Sequence, residues 1–312
     1  MTAAPRRILL TGGSGFVGTH LRAALAVAYP DAAVVAPAVD VRDPAALAAL
    51  VAAEQPEVCV HLAAIAAVAA AGRDEETAWQ VNLHGALHLA NAILHHAPAC
   101  QLLYVSSADA YGGTAGGAAP IDENTPLAPS NVYAATKAAA DLALGSMVAR
   151  GLRVVRLRPF NHTGPGQSAD YVVPAFARQI ARIAAGLQPP VLEVGNLDTW
   201  RDFLDVRDVC AAYIACIDRR ATLEPGTILN LCSGQARRIG EVLDALLALA
   251  GVTAEVRAAP SRVRGVDIRR TFGDAARARA LLGWVPAIPW ARTVRDVLDD
   301  WRTRCAAMPE HA

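Results

Sequence analysis

Tyr133 and Lys137, in the stretch NVYAATKAAAD, stand four residues apart, a spacing that puts them one turn from each other on one face of a helix. A free phenol has a pKa near about 10 and exchanges protons poorly at neutral pH. A neighbouring ammonium favours the phenolate, so the pair can trade a proton with a substrate. The same spacing also arises on ordinary surface helices. It gains meaning from Ser107, in SSADAYGG, which follows the apolar run QLLYV. A hydroxyl at the carboxyl end of a strand sits on the rim where open α/β sheets bind ligands. Together the three groups suit reduction of a carbonyl: a hydroxyl polarises it, a phenol supplies the proton and a cation supports the phenol. Asp109, two places after Ser107, adds a carboxylate of the kind that removes a proton from carbon.

Such chemistry needs a hydride carrier, and the first turn of the chain is built for one. TGGSGFVG follows the strand-like RILLT and opens a helix, with Gly12, Gly15 and Gly18 spaced as a dinucleotide-binding turn. The first glycine permits the tight turn, the second lets backbone N–H groups approach a pyrophosphate, and the third allows close packing of helix on strand. An acid at the end of the second strand would hold the ribose 2′-hydroxyl of NAD. AAVVAPAVD ends instead in Ala36 and Pro37, and Asp40 comes too late for the ribose and is placed toward the adenine. Arg22 and Arg42 are the candidates for a 2′-phosphate. NADP(H) is therefore slightly favoured, with NAD(H) as the alternative.

The elements that position these residues follow from periodicity. Short β-rich runs at 7–11, 32–36, 57–63, 101–107 and 152–158 alternate with helical stretches near 16–28, 44–54, 75–97 and 131–150. Strands alternating with helices imply right-handed βαβ units, hence an α/β Rossmann-type doubly wound parallel sheet. Beyond residue 160 the rhythm loosens. The Rossmann domain is expected over 1–164 with a return segment at about 196–231, and a smaller substrate domain over 165–195 and 232–312. The glycine-rich GGTAGGAA at 112–119 reads as a mobile loop over the site.

Composition removes other classes. With 54% apolar and 19% charged residues the chain has ample material for a core. Lys+Arg and Asp+Glu both number 29, so no net field draws it to nucleic acid or an anionic membrane. No apolar stretch reaches the roughly 20 residues of a membrane span. Six cysteines without paired spacing read as reduced core residues of a cytoplasmic protein. His84, His88 and His95 have helical spacing, but no thiolate or carboxylate completes a zinc set, and no metal is expected.

TGGSGFVG, VHLAA (60–64), VNLHGALHLANA (81–92), SSADAYG, Tyr133 with Lys137, RPFNHTGPGQ (158–167) and RDFLDVRDV (201–209) together resemble the extended short-chain dehydrogenase/reductase family, in its nucleotide-sugar branch. RPFNHTGPGQ, VVPAFARQIARI, LEVGNLDTWRDFLDVRDV and LCSGQ look most like the reductases of that branch that act on GDP-4-dehydro-6-deoxy-D-mannose. The resemblance implies a catalytic set of Ser107, Tyr133 and Lys137. It implies a cofactor held by Gly12, Gly15, Phe16, Val17, Gly18, Asp40, Val41, Leu62, Ala63, Ala64, Tyr133, Lys137 and His162. The substrate, a GDP-linked deoxy-keto sugar, would meet Ser107, Asp109, Asn161, Val173, Arg178, Arg201, Arg264 and Asp267, with Asn161 and Arg201 on the diphosphate and Arg264 and Asp267 at the nucleoside end. Arg201 could instead pair with Asp202, Asp205 or Asp208.

The same residues would serve a C4 epimerase, and a dinucleotide-sensing regulator could share the fold. In the family's 4,6-dehydratases an acidic pair, or a glutamate two places on, follows the hydroxyl residue. Here Ala108 and the shorter Asp109 follow it, which draws the carboxylate back by about 1.5 Å and weakens that reading. Reduction at C4 to the rhamno product is expected, the talo epimer being the alternative outcome. Helices 75–97 and 131–150 are apolar over more than one face, and a homodimer packed through them is expected.

Overall fold

Four of the five residues in β1 (Arg7–Thr11) are buried, and after α1 (Phe16–Ala28), β2 (Ala33–Val35) and α2 (Pro44–Glu54) all four of β3 (Val58–His61) are too. Strands covered on both faces read as continuous apolar runs, which is why these segments lack alternation. The computed structural model describes residues 3–117, 119–259 and 268–307. The chain continues through α3 (Val68–Arg73), α4 (Glu75–Trp79), α5 (Gly85–His96), β4 (Gln101–Val105), α6 (Val132–Ser146), β5 (Arg153–Pro159), β6 (Asn161–Thr163) and α7 (Val172–Ala184). Then come β7 (Val191–Val194), β8 (Trp200–Asp205), α8 (Val206–Asp218), β9 (Ile228–Leu231), β10 (Ala236–Arg238), α9 (Ile239–Ala250), β11 (Glu255–Ala258), β12 (Arg270–Thr271), α10 (Ala276–Leu282) and α11 (Trp290–Ala306).

The main sheet is parallel, in the order β2-β1-β3-β4-β5-β9. One face is covered by α1 and α8, through Leu21, Leu25, Val209, Tyr213 and Ile217, and the other by α2, α5 and α6, through Leu47, Val51, Leu89, Ile93 and Leu144. This is the doubly wound α/β architecture expected. All six cysteines are free and buried. Among the described residues no helix is long and apolar enough to cross a membrane.

The helix expected over 75–97 is interrupted by a π-helical turn at Gln80–His84, between α4 and α5. That extra residue per turn swings Asn82 inward, where it is 1% exposed. α6 begins at Asn131, whose carboxamide accepts from the Ala134 N–H at 2.9 Å and satisfies one of the orphan donors of the first turn.

A third core joins α7, α9 and α11 to β7, through Phe176, Ile180, Leu192, Leu243, Leu246, Val297 and Leu298. Between it and the main sheet lies β8, paired with β6, β10 and β12. The segment expected to return to the Rossmann unit at 196–231 is thus divided: β8 joins the smaller sheet, while α8 and β9 complete the larger unit. Ala278, Leu282 and Trp284 also pack against α8, whose apolar face needs cover that the sheet alone does not supply.

Asp202 of β8 fixes this junction. It is fully buried and accepts from the Ser233 N–H (2.8 Å) and hydroxyl (2.6 Å), the Gly234 N–H (2.9 Å) and the Gly273 N–H (3.2 Å). Asp202→Ala strands those donors in a dry interior and is expected to destabilise the chain by about 3 kcal/mol, as measured by urea denaturation. Asp202→Asn, which can still accept at one oxygen, should cost clearly less.

Candidate active site

α6 lies over a row of polar side chains that crosses the otherwise apolar sheet. Thr11, His61, Tyr104 and Arg156 are successive cross-strand neighbours on β1, β3, β4 and β5. Thr11 Oγ1 and His61 Nδ1 are hydrogen-bonded at 2.6 Å, and the His61 and Tyr104 rings stack with centroids 6.1 Å apart. Lys137 reaches down from α6 and sets its Nζ 4.9 Å from the centroid of the Tyr104 ring. One turn further on, the buried Asp141 accepts from Arg158 Nε and Nη2, both at 2.9 Å, and from Arg156 Nη1 at 3.1 Å. Arg158 also donates to the Tyr111 hydroxyl at 3.0 Å, which in turn donates to Asn230 Oδ1 at 2.7 Å.

Ser107 follows β4 and caps a 3₁₀ turn that starts at Ala108 and is broken by a kink at Gly112, its Oγ accepting from the Asp109 N–H at 3.1 Å. The strand end, the capped turn and α6 bring Ser107, Asp109 and Tyr133 together, close enough for each to act on the phenol. Burial raises the Tyr133 pKa above its ordinary value, the Asp109 carboxylate raises it further, and the Ser107 hydroxyl opposes both. Burial holds the Lys137 ammonium down to about 8 against the pull of Asp141. The pull toward the phenolate expected of Lys137 works against burial and Asp109, which both favour the protonated form. A phenol so placed holds its proton until a stronger base arises beside it, which suits a general acid.

The stretch expected to be a mobile loop is anchored where it leaves the site. Thr114 Oγ1 donates to the Tyr111 and Pro126 carbonyls, and the Gly113 N–H donates to the Ala128 carbonyl. Gly112, at φ +49°, leaves no room for a side chain, since a Cβ there would sit 1.8 Å from Ala128 O.

The dinucleotide turn has the geometry that its glycines imply. Gly12 adopts φ +73°, and a Cβ on it would lie 2.6 Å from the Ala63 N; one on Gly18 would lie 2.3 Å from Gly12 O. α1 has no acidic residue in its first turn and no side-chain cap at Gly15, so its N-terminal donors face a position suited to phosphate. The residues fit a dinucleotide. Phe16 stacks on His162 at 6.3 Å, and His162 Nδ1 bonds the Phe160 carbonyl, with burial lowering the ring's pKa so that it stays neutral. Leu62 and Ala63 continue from β3 against this turn, the Leu62 N–H donating to Thr11 O.

Asp40, expected toward the adenine, and Arg42 form an exposed ion pair at 2.7 Å that occupies both side chains. Arg22 makes no hydrogen bond or ion pair among the described residues, and its Cδ lies 3.5 Å from where a Cβ on Gly13 would be, at a spot that also touches Ala36. Of the two arginines considered for a 2′-phosphate, Arg22 is the one with a free guanidinium. Val41 belongs to the core: it is 4% exposed and packs on Gly85.

Of the residues expected at the substrate, Asn161 opens β6 beside Phe203, two residues from Arg201 along β8. Arg201 Nη1 donates to the Trp200 and Ile268 carbonyls. The aspartates proposed as its alternative partners are engaged elsewhere, Asp205 with Arg207 and Thr293, and Asp208 with the Ala287 and Ile288 N–H groups. Val173 is 1% exposed in the third core, so its side chain is closed to a ligand. Arg178 lines an open cleft of about 510 Å³ with Arg182, Gln179, Glu193 and Arg257. Arg264 and Asp267 lie outside the described residues. Sequence reasoning missed Asn82, whose carboxamide accepts from the Ile65 N–H and donates to the Ile65 carbonyl and Thr136 Oγ1, pinning the loop after β3 to α6. An asparagine amid the apolar positions of a helix was the available signal.

A glycine-rich first turn, a parallel sheet and a serine, tyrosine and lysine at its carboxyl rim define a nicotinamide-dependent enzyme that works on a carbonyl or its alcohol. The chain belongs to the NAD dependent epimerase/dehydratase family, whose model matches residues 8–232. It is 41% identical over 302 residues, 96% of this chain and 98% of the other, to GDP-6-deoxy-D-mannose reductase of Pseudomonas aeruginosa. A GDP-6-deoxy-D-talose 4-dehydrogenase of Aggregatibacter actinomycetemcomitans is 28% identical over 89% of this chain and 91% of its own length. Among solved structures, RMD from Pseudomonas aeruginosa complexed with NADPH superposes with a TM-score of 0.88 at 40% identity, covering 96% of this chain and 99% of that one.

Arg22→Ala is expected to weaken NADPH binding about tenfold, about 1.4 kcal/mol, while leaving NADH binding nearly unchanged; titration of nucleotide fluorescence with each cofactor checks this.

Proposed function

We propose that the chain reduces the C4 ketone of GDP-4-dehydro-6-deoxy-D-mannose to the secondary alcohol, giving GDP-D-rhamnose. NADPH, when bound in the Gly12–Gly18 turn, supplies the hydride that C4 receives. The chain's own residues do the rest. Ser107 donates to the carbonyl oxygen and polarises it, and Tyr133 gives up its phenolic proton to the oxygen as charge develops there. Lys137 supports the resulting phenolate, which solvent then reprotonates. Asn161, Arg201 and Arg178 are assigned to the GDP portion, as a fork of guanidinium donors suits a diphosphate. The observation that carries this reading is the meeting of Ser107 and Tyr133 at the carboxyl end of β4, with Lys137 one turn along α6 over Tyr104; burial and Asp109 favour the protonated phenol there, as net reduction requires. The likeness to the Pseudomonas aeruginosa reductase over almost the whole of both chains supports the substrate and the cofactor.

Dehydration would need Asp109 as a base at C5. Its carboxylate is short, and its backbone is held to Ser107 by the capping bond. An epimerase would use the same catalytic residues but would keep its nicotinamide through turnover, so little cofactor should copurify with this chain.

We also infer a homodimer. Leu142 on α6 is 60% exposed, and Leu83, Leu87 and Leu94 on the facing helix are only partly covered. Continuity of these two helices gives an apolar face that a symmetry mate would cover.

The direct assay is NADPH oxidation with GDP-4-dehydro-6-deoxymannose. Tyr133→Phe should lower turnover by roughly 10²–10⁴ with cofactor affinity little changed, and near-normal turnover in that variant would remove Tyr133 from the chemistry. Asp109→Asn should leave reduction near pH 7 largely intact. Because it removes an anion that keeps the phenol protonated, it should move the alkaline limb of kcat to lower pH, and an upward shift would contradict the electrostatics described. In light scattering, native protein should have the mass of two chains and Leu142→Arg the mass of one.

A further inference from the structure

Lys137 is the one lysine in the 312-residue chain; every other basic side chain that is always charged is an arginine. It is 4% exposed, and burial costs an ammonium its hydration. An ammonium in that position needs something to hold it charged and in place. On α6 itself stand Tyr133, one turn before, and Asp141, one turn after. Asp141 pulls the ammonium up, but its oxygens are bonded to Arg156 and Arg158 of β5 and not to Lys137. From β3 comes His61, which burial and the nearby Lys137 hold down to about 3, so that it is neutral throughout the working range. Asp109, on the turn after β4, acts on Tyr133. From β4 itself comes Tyr104, fully buried, with its ring face under the ammonium at 4.9 Å.

That distance is within the roughly 6 Å over which an aromatic face attracts a cation, and the attraction is stronger where water is excluded. The hydroxyl of Tyr104 has no hydrogen-bond partner among the described residues. It is the face of the ring, and not the polar tip, that meets another group.

We propose that Tyr104 is the positioning residue for Lys137, the π face of its ring being the seat that keeps the ammonium charged and held beneath Tyr133. The hydroxyl is incidental to this role. The proposal rests on the reading of Lys137 as the partner of Tyr133, but its test needs neither substrate nor cofactor.

Since the chain has a single lysine, protein labelled with ¹³Cε,¹⁵Nζ-lysine and carrying no tag lysines gives one side-chain signal, and its pH titration reports Lys137 without assignment. In native protein the midpoint is expected near 8. Tyr104→Phe keeps the face and loses the hydroxyl, and should stay within about 0.3 units of native. Replacing that phenylalanine with mono-, di- and pentafluoro analogues keeps the shape nearly constant while draining the face of electron density. The midpoint should then fall stepwise, by about 0.5–1 unit across the series. Tyr104→Leu should fall at least as far; if it does not fold, the fluorinated series still decides. A midpoint that stays flat across the series, or a fall in Tyr104→Phe as large as in the pentafluoro form, overturns the proposal. Failure of the chain to reduce the ketone, with the series behaving as stated, would overturn the proposed activity and leave this inference standing.

Discussion

The structure depends on burying charge and polarity beneath α6. A helix laid on a parallel sheet normally meets an apolar face, and here Lys137 and Asp141 of α6 meet Tyr104, Arg156 and Arg158, in a polar row that runs on across the sheet through His61 to Thr11. Buried polar and charged groups are tolerated only when paired, and removing one partner of such a set typically costs about 3–5 kcal/mol. Asp141 is therefore held by two arginines, and through Arg158 and Tyr111 the bonding continues to Asn230 on β9. α6 cannot slide along the sheet without breaking that network. Its register fixes Tyr133 and Lys137 relative to the strand end that carries Ser107.

The same burial sets the chemistry. Taking a group out of water disfavours its charged form, so it raises a phenol and lowers an ammonium. Tyr133 and Lys137 feel this in opposite senses, and Asp109 deepens it for the phenol. The result is a proton donor with a partner that is still charged at neutral pH. A site of this kind gives a proton readily to a developing alkoxide, as reduction of a ketone requires; loss of water in a dehydratase turns instead on a carboxylate base, the place taken here by the short Asp109, and fold alone does not separate the two.

Much of this was legible in the chain. Apolar runs alternating with helical stretches marked the sheet, because strands buried on both faces carry no polar alternation. The glycine spacing marked the dinucleotide turn, because Gly12 and Gly18 meet backbone atoms that no Cβ could clear. Tyr133, Lys137 and Ser107 declared themselves by spacing and by strand ends. What stayed hidden depends on contacts between distant segments. Tyr104 looked like one more apolar strand residue, since only the packing of α6 gives its ring a cation. Asn82 turned inward through a π turn that periodicity does not encode. Asp202 looked like a charge near Arg201 and proved to be the anchor of two loops, at Ser233–Gly234 and at Gly273. Val41 and Val173, expected at ligands, are core residues, because a motif places the backbone near a ligand without saying which way each side chain points.

The central claim is that hydride reaches C4, a proton reaches the oxygen on C4, and the neighbouring carbons are left untouched. Isotope tracing tests it directly. Reduction of GDP-4-dehydro-6-deoxymannose with cofactor deuterated at the transferred position should place one deuterium at C4. In D₂O with unlabelled cofactor, the isolated product should carry no carbon-bound deuterium beyond that of an enzyme-free control. Deuterium entering C5 in D₂O faster than in that control, or no label at C4 from the deuterated cofactor, would contradict the account: the first would make Asp109 or Tyr133 a working carbon base, and the second would remove hydride transfer from the reaction.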